Sequence, residues 1–445
     1  MKSRKAPGSD EVTADILKVG GEPVIKWLLE MFPDMWENER VVKEWSSATL
    51  IRLYKNKGDK KLCDNYRGIS LLSVTGKIFS RIILNRIQNS VDGRLLEIQS
   101  GFRSNKSTID QIFTLKMTME RRREFNKPLS MCFINIAKAY ESGNREVLWR
   151  ICQSYGISEK LINLLRMLYK DSKALVKING ELSDSFDIET GVMQCGRPSP
   201  MLFNILSDFV IRKVSEEASV AGVKFSYGSN DFFHEFREKY ENFNVLALLY
   251  ADDLAAMCGT TDCLDKFIRS FEKITQKFDL TMSFRKTCIK TLQQLKKDQH
   301  GKVLKGQEVD HPNIDINIRN QKIETVDSFT YLGCTITRDQ RQDTELEIRL
   351  VKAGRPFNIL QYSIWHTKLV SIVARFRIFR VCVLLIVLYG SGVWSLTTTQ
   401  EHRITSFYAR CLRTIIGVNL GDRMLNGKLL KITGQPSIED IMCRN

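Results

Sequence analysis

The feature that most constrains this chain is a pair of aspartates set inside an apolar segment, in Tyr250-Ala251-Asp252-Asp253. The run Val245–Tyr250 is wholly apolar, and the apolar pattern resumes over Leu254–Cys258. Burying two adjacent ionised side chains in the middle of a strand would be costly. A tight hairpin turn resolves the conflict, because it ends one strand, begins the next and places both carboxylates at the end of the sheet.

The paired carboxylates have two interpretations. Neighbouring anions repel, and a hard divalent cation such as Mg²⁺ offsets that repulsion by binding carboxylate oxygens together with substrate phosphates. The turn is therefore either a metal site for phosphoryl transfer or an ordinary solvated Asp-Asp turn. A P-loop nucleotide hydrolase is disfavoured. The nearest glycine-rich segment, Gly68 to Gly76-Lys77, has the wrong spacing, and Ile78 stands where the phosphate loop needs a hydroxyl.

The charge balance points to an anionic partner. Lys and Arg number 67 and Asp and Glu number 51 among 445 residues, so the formal net charge is +16. Nucleic acid is the first candidate for a chain this basic. The apolar fraction of 43% excludes a wholly disordered chain.

Cysteine usage and hydropathy bear on metal sites and location. The 11 cysteines form no Cys-x-x-Cys pair and only 5 histidines are present, which disfavours a structural zinc site. Scattered thiols without a secretory signal predict an intracellular protein of the nucleus or cytoplasm. The longest apolar run, Val381–Tyr389, is far below the ~20 residues that span a bilayer, so it predicts a buried helix and no membrane partner.

Hydrophobic periodicity predicts an α+β protein with a helical C-terminal end. Strands are predicted at Met131–Ile134, on either side of the aspartates, near Leu280–Ile289 and from Phe329 to Gly333. Helices are predicted at Thr108–Arg123, Glu146–Tyr155 and Leu202–Val214, after an N-cap at Thr261-Asp262, and through most of the chain beyond Thr344. The polar stretch Leu292–Asn320 predicts a loop or insertion.

Further motifs follow one another in a defined order. They are Lys5–Asp10, Asn65–Leu72, Gln99–Arg103, Phe133–Glu141, Gly191–Asn204, Tyr250–Asp253, Lys286-Thr287, Tyr331–Gly333, Leu388–Gly390 and Thr433–Pro436. In these residues the chain resembles the reverse transcriptases of non-LTR retrotransposons, the long interspersed element class. The resemblance covers nearly the whole chain, and the order of the motifs makes it specific.

The resemblance implies a right-hand polymerase: fingers, a palm with a split βαβ sheet, a helical thumb and a helical C-terminal segment. The expected boundaries are 1–125 for the fingers and N-terminal extension, 126–325 for the palm, 326–370 for the primer-grip strand and thumb, and 371–445 for the C-terminal segment. The resemblance also implies extension of a DNA primer on an RNA template with deoxynucleoside triphosphates and two Mg²⁺ ions. Family members usually carry an endonuclease upstream, so the chain is expected to be a fragment of a longer protein.

The resemblance also assigns roles to individual residues. The catalytic set is Asp252, Asp253, Asn135 and Lys286, with the two aspartates as metal ligands; the nucleotide-binding set is Lys55, Arg67, Tyr140 and Gln194; the primer-positioning pair is Leu332 and Gly333. Tyr140 matches the aromatic that excludes a ribose 2′-hydroxyl, and Lys286 matches a lysine that protonates departing pyrophosphate. Taken without the resemblance, Lys55 and Lys286 are equally well explained as solvated lysines and Tyr140 as a core aromatic.

Two departures from the family pattern fall where chemistry is expected. Asn135 stands where the family has a metal-ligating Asp, and an amide lacks the charge that helps to hold two cations together. Gln194-Cys195-Gly196 replaces the usual Gln-Gly-Cys, and Pro198 fixes φ and removes a donor nearby. The sequence therefore predicts a polymerase whose activity is impaired and whose metal binding is weakened. The alternative is a catalytically inactive remnant that still binds nucleic acid.

Overall fold

The computed structural model describes residues 3–444 except 57, 226–242, 293, 298–302 and 309–314. The chain divides into two compact units. The first comprises Met1–Lys106, Met131–Cys288 and Asp315–Glu324. The second comprises Ser107–Ser130, Ile289–Ile314 and Thr325–Asn445.

The strands are numbered in chain order. They are β1 Ser47–Tyr54, β2 Tyr66–Leu71, β3 Ser130–Ala137, β4 Lys173–Ile178, β5 Glu181–Leu182, β6 Phe186–Asp187, β7 Val223–Phe225, β8 Phe243–Val245, β9 Ala247–Tyr250, β10 Asp253–Cys258, β11 Thr281–Met282, β12 Cys288–Thr291, β13 Leu295–Lys297, β14 Val303–Glu308, β15 Asn317–Ile318, β16 Gln321–Lys322, β17 Glu324–Thr325, β18 Ser328–Tyr331 and β19 Cys334–Thr337.

The α-helices are numbered in the same way. They are α1 Ala14–Val19, α2 Gly21–Glu37, α3 Val74–Asp92, α4 Thr108–Glu124, α5 Arg145–Ser154, α6 Glu159–Tyr169, α7 Ser199–Ala218, α8 Thr261–Gln276, α9 Asp343–Ile359, α10 Ile372–Phe379, α11 Leu385–Val387, α12 Thr398–Ile416, α13 Asn426–Thr433 and α14 Ile438–Cys443.

The first unit is built on a sheet that carries the paired aspartates at one end. Strand β3 lies beside β10, and β10 pairs with β9 in an antiparallel hairpin. On β3, β11 pairs antiparallel, with Met282 opposite Ile136. Helix α8 packs on β10 and α7, and its apolar residues recur at spacings of three and four, including the buried Phe267 and Phe271. Strands and helices therefore alternate in this unit, in agreement with the predicted α+β fold.

A second sheet in the first unit joins β1 to β2 in an antiparallel hairpin and to β4 in parallel. Leu53 lies opposite Arg67 in the hairpin, and Tyr54 lies opposite Tyr66. The Tyr54 and Tyr66 rings pack at 5.4 Å between centroids. This cross-strand pair helps to hold Arg67 in register near the tip of the hairpin.

The second unit is mainly helical. Its core gathers buried side chains of α9, α10 and α12, together with Trp365, whose indole N–H donates to the Phe357 carbonyl at 2.7 Å. Strands β18 and β19 form a hairpin with Tyr331 opposite Cys334. The α+β fold with a helical C-terminal end is thus confirmed.

Several boundaries differ from the predictions, each for a local physical reason. The N-cap of α8 is Thr260, whose hydroxyl accepts from the Cys263 N–H, and not Thr261-Asp262. The strand predicted over Leu280–Ile289 is broken between β11 and β12, because Lys286 and Thr287 donate their N–H groups to the Ser283 carbonyl in a turn. Part of the predicted loop Leu292–Asn320 lies outside the described residues, and its described part contains the paired strands β13 and β14.

The apolar run Val381–Tyr389 is only partly buried, contrary to the prediction. Val383 and Val387 are buried, whereas Val381 and Leu385 are each 64% exposed. A π-helical turn at Arg380–Leu384 precedes α11, and the run places apolar residues on both its inner and its outer side. Within the described residues, no helix has the length and apolar character needed to cross a membrane.

Candidate active site

The paired aspartates lie at a two-residue hairpin turn, Asp252 inside it and Asp253 directly after it, at the end of the sheet that the sequence predicts. Tyr250 ends β9 opposite Asp253, which begins β10, so Ala251 and Asp252 form the turn. Ala251 has φ +58° and is buried. A left-handed conformation costs a non-glycine residue roughly 1–2 kcal/mol, so the surrounding structure has to hold the turn in place.

Both carboxyl groups have a raised pKa. Burial is the main cause for Asp252 and for Asp253, and the charge of Asp252 raises the pKa of Asp253 further. For both groups the effect of burial outweighs the lowering effect of the neighbouring hydrogen bonds and cationic charges. Among the residues that the structure describes, no group of three or more His, Cys, Asp or Glu side chains is arranged to hold a metal ion.

Asn135 lies on the neighbouring strand β3 and faces the aspartates. Its side chain hydrogen-bonds to the Asp253 carboxylate, and this bond lowers the pKa of Asp253 against the effect of burial. Its backbone is fixed on both sides, because the Ser283 N–H donates to the Asn135 carbonyl at 2.8 Å and the Asn135 N–H donates to Thr287 Oγ1 at 3.3 Å. The structure thus brings together the three positions that the sequence grouped.

Two of the predicted cationic residues act electrostatically on this pair, and one lies elsewhere. The charge of Lys286 lowers the pKa of both aspartates, and that of Arg67 lowers the pKa of Asp252. The Lys55 ammonium donates instead to the Asp64 carbonyl at 2.7 Å, within the β1–β2 hairpin. Lys55 therefore helps to close its own hairpin in this conformation.

Tyr140 is held beside the aspartates by its ring and its backbone. The ring stacks on Phe203 of α7 at 4.8 Å, and the Tyr140 carbonyl accepts from the Val192 N–H at 2.7 Å. Burial, with the charge of Asp252, raises the pKa of the phenol. Its buried hydroxyl has no hydrogen-bond partner among the described residues.

The altered motif around Gln194 has an unusual backbone. Cys195 is exposed and left-handed, with φ +67°, at the position where the family pattern has glycine. Gly196 follows, and a Cβ there would lie 2.5 Å from Ser199 Oγ. Gln194 itself is half-buried in the turn. Pro198 is compatible with its place, because it caps α7 and its carbonyl accepts from the Leu202 N–H at 3.0 Å.

Leu332 and Gly333 form the two-residue turn of the β18–β19 hairpin in the second unit, and both have positive φ, +44° and +84°. The Leu332 carbonyl accepts from the Tyr389 hydroxyl at 2.7 Å. The Gly333 carbonyl accepts from the Arg349 guanidinium, which also lies 4.6 Å from the centroid of the Tyr389 ring. Side chains distant in sequence therefore hold both carbonyls of the turn.

Sequence reasoning missed the residues that support each turn. Gln99 is 1% exposed and its side-chain carbonyl accepts from the Ala251 N–H. Arg349 is paired with buried Glu345 at 2.6 Å. Gln99 belongs to a noted motif, but nothing in its local pattern indicates its partner; Arg349 and Glu345 follow an ordinary helical spacing of four.

Comparisons with known proteins agree with the motifs. The family described as reverse transcriptase (RNA-dependent DNA polymerase) matches residues 54–336. The chain is similar to the RNA-directed DNA polymerase from mobile element jockey of Drosophila funebris, at 23% identity over 429 residues that cover 94% of this chain and 43% of the relative. It is also similar to the Pol polyprotein from type-1 retrotransposable element R2 of Popillia japonica, at 24% identity over 218 residues covering 49% of this chain and 30% of the relative.

Among solved structures, the chain is similar to apo telomerase from Candida Tropicalis, with a TM-score of 0.44 and 12% identity, covering 89% of this chain and 67% of that one. The chain spans less than half the length of the two curated relatives.

Proposed function

This chain belongs to the reverse transcriptase family, with the motifs of non-LTR retrotransposons, and on that premise we propose that the end of the β9–β10 hairpin, with Asp252 and Asp253, is the site of metal-dependent primer extension on an RNA template. One observation carries the proposal: two half-buried carboxylates and Asn135 meet at one end of the sheet, where the charges of Lys286 and Arg67 act on the carboxylates. Deoxynucleoside triphosphates would be the second substrate. Fingers over 1–125, palm over 126–325, thumb over 326–370 and a C-terminal segment over 371–445 are proposed with it.

The donor set supports binding of a divalent cation at the turn. The raised pKa of both aspartates indicates a carboxylate pair that additional positive charge would stabilise. Carboxylate and amide oxygens are the hard donors that Mg²⁺ prefers. Asp252 and Asp253 would hold the metal; when bound, Mg²⁺ supplies charge stabilisation at the attacking and leaving oxygens of a phosphoryl transfer.

The chain's own side chains would bind and orient the nucleotide. Arg67 would contact the triphosphate as a fixed cation, and Lys286 would give a proton to the departing pyrophosphate. Tyr140, braced on Phe203, would exclude a ribose 2′-hydroxyl through the bulk of its ring. Lys55 and Gln194 are proposed as further nucleotide contacts, Lys55 after releasing the Asp64 carbonyl.

The turn Leu332-Gly333 is proposed to position the primer end. Gly333 has no side chain, and the Tyr389 ring takes up the space on that side of the backbone, 3.1 Å from where a Cβ would lie. Both carbonyls of the turn are already bonded within the protein, so the turn would act as a rigid surface.

Asn135 is the reason to propose low activity. Its amide is neutral and hydrogen-bonds to Asp253, so the site holds two carboxylates where the family pattern has three. Fewer anionic ligands should weaken divalent cation binding and misplace the primer hydroxyl, whose attack depends on exact geometry at the sub-ångström scale.

The test is primer extension on an RNA template with Mg²⁺ or Mn²⁺, together with Mn²⁺ binding measured by electron paramagnetic resonance. We expect little extension by the wild type, and both tighter Mn²⁺ binding and more extension by Asn135→Asp. Adding Asp252→Ala to that variant should abolish both. Asn144→Asp is the matched control, because it makes the same charge change at the N-cap of α5, where Asp also caps well.

Two outcomes would contradict this proposal. Robust extension by the wild type would show that the neutral residue does not impair the site. Unchanged Mn²⁺ binding and unchanged extension in Asn135→Asp would show that residue 135 is not a metal ligand.

A nucleic-acid-binding remnant is the second candidate, favoured by the net charge of +16. It predicts primer–template binding that weakens steeply with salt, since each phosphate contact releases counterions. Salt-dependent binding by fluorescence anisotropy, with no extension by any Asn135 variant, would favour this candidate over the polymerase.

A further inference from the structure

The turn that carries the aspartates is in a conformation that its own sequence disfavours. Ala251 has φ +58°, whereas turns of this kind usually have glycine, asparagine or aspartate at a left-handed position. Such residues persist only where the surrounding structure holds them in place. The question is which contacts hold Ala251.

The side chain of Gln99 makes the most direct contact with the turn. Gln99 Oε1 accepts from the Ala251 N–H at 3.1 Å and from the Gly101 N–H at 2.9 Å. Gln99 Nε2 donates to Ser207 Oγ of α7 at 3.3 Å. Two backbone donors on one side and a hydroxyl on the other fix the orientation of the amide, and Gln99 is 1% exposed.

The segment around Gln99 is itself anchored to the hairpin and to α7. The Ser100 N–H donates to the Leu249 carbonyl, and the Leu249 N–H donates to the Ile98 carbonyl, both at 2.9 Å. Asn204 Nδ2 donates to the Gly101 carbonyl at 2.6 Å. The Gln99 side chain, which we call the brace of the turn, is therefore anchored through its own segment to the hairpin and to α7.

Gly101 allows the close approach that the brace needs. A Cβ at Gly101 would lie 2.3 Å from the Ala251 nitrogen, a distance that no side chain can occupy. The glycine thus lets the backbone of residues 99–101 lie directly against the turn.

We propose that Gln99 is a positioning residue, which holds the Ala251–Asp252 turn in its left-handed form and so presents Asp252 and Asp253 to the metal and substrate. The effect of Gln99 on metal and substrate binding rests on the function proposed above. A neutral amide suits this place, because it binds the turn without adding a charge beside two half-buried carboxylates. A residue that only filled space would be replaceable by an apolar side chain of equal size.

The test uses Gln99→Met, which keeps the volume and removes the hydrogen bonds. Hydrogen exchange at the Ala251 amide, followed by NMR, should become at least ~10-fold faster, since its acceptor is lost. The Leu249 amide, which donates to a backbone carbonyl, should be unchanged. Gln400→Met is the matched control: Gln400 is also buried and its side chain accepts from the Thr397 N–H, but it lies in the second unit.

A second substitution separates positioning from general stability. Ala251→Gly removes the penalty of the left-handed conformation, so the turn should no longer depend on the brace. In the Asn135→Asp background, Gln99→Met should weaken Mn²⁺ binding by at least ~10-fold, and adding Ala251→Gly should recover at least half of that loss on a logarithmic scale. Gln400→Met should leave Mn²⁺ affinity unchanged.

The proposal is overturned if Ala251 exchange in Gln99→Met is no faster than in Gln400→Met, or if Ala251→Gly recovers none of the Mn²⁺ affinity. If Gln99→Met does not fold, Ser207→Ala replaces it. This variant removes the partner of Nε2 and should speed exchange at Ala251 more than at Leu249; equal effects at both amides would overturn the proposal. If the Asn135→Asp protein binds no Mn²⁺ and extends no primer, the proposed function is wrong. Hydrogen exchange at the Ala251 amide still decides whether Gln99 holds the turn.

Discussion

Two hairpin turns of this chain solve the same backbone problem with different chemistry. The turn Ala251-Asp252 has one left-handed residue, and Leu332-Gly333 has two. Side chains distant in sequence bind the first turn through its N–H group and the second through its carbonyls. The first is held by a neutral amide, whereas an Arg–Glu ion pair and a tyrosine hydroxyl hold the second.

The difference follows from what each turn carries. The first turn bears carboxylates whose pKa is already raised by burial, so a charged brace would alter their ionisation. The second turn carries no carboxylate, and its ion pair acts on the thiol of Cys334, whose pKa is raised by burial and by Glu345 and lowered by Arg349. A residue that supports a titrating site is therefore constrained in charge as well as in shape.

Breaking the Arg349–Glu345 ion pair that holds the second turn should have the largest effect on the free energy of unfolding. Arg349→Leu leaves Glu345, which is 2% exposed, buried without its partner, and removing one member of a buried ion pair typically costs about 3–5 kcal/mol. Chemical denaturation should show that loss of unfolding free energy. Adding Glu345→Gln should return part of it, because a neutral amide is cheaper to bury and still accepts from the Thr335 N–H; a double variant less stable than the single one contradicts the interpretation.

Crowding the contact between the Gln99 segment and the first turn should reduce the free energy of unfolding by a smaller amount. Gly101→Ala places a Cβ against the Ala251 backbone, and overpacking of this kind costs about 1–3 kcal/mol. Gly354→Ala is the control: it lies inside α9 with nothing within 4 Å of the added Cβ, and should gain about 0.5–1 kcal/mol. Equal effects of both substitutions in a denaturation experiment would count against the close contact of Gly101 with the turn.

Neutralising the first turn should have the smallest effect, with opposite sign. Because the pKa of Asp252 is raised above its ordinary 3.8, its contribution to stability is present below that value and is lost as the pH rises through the folded-state pKa. Asp252→Asn should therefore raise Tm at pH 7 by about 2 °C, and the gain should shrink as the pH falls towards 4. Asp184→Asn, at an exposed position, should leave Tm unchanged; a gain that persists unchanged at low pH would exclude the ionisation as its cause.

Local periodicity predicted the elements well. Thr108–Arg123 is nearly the whole of α4, and Leu254–Cys258 is nearly the whole of β10. The predicted strand Val245–Tyr250 is divided: Val245 ends β8, and Ala247–Tyr250 is β9. The same reasoning misjudged Val381–Tyr389, since an apolar run cannot show that Val381 and Leu385 face outward. Hydrophobicity indicates that a segment tends to be buried. The neighbouring helices and strands decide which side of the segment they cover.

The sequence by itself determined that two adjacent acids must end a strand, that residue 135 lacks their charge, and which family the chain belongs to. Only the tertiary structure decided that Asn135 bonds to Asp253 and that Gln99 reaches the Ala251 N–H from 152 positions away. The reason is one of range. Strand and helix patterns arise from neighbours a few residues apart, but a buried polar group must find its partner wherever the folded chain brings one.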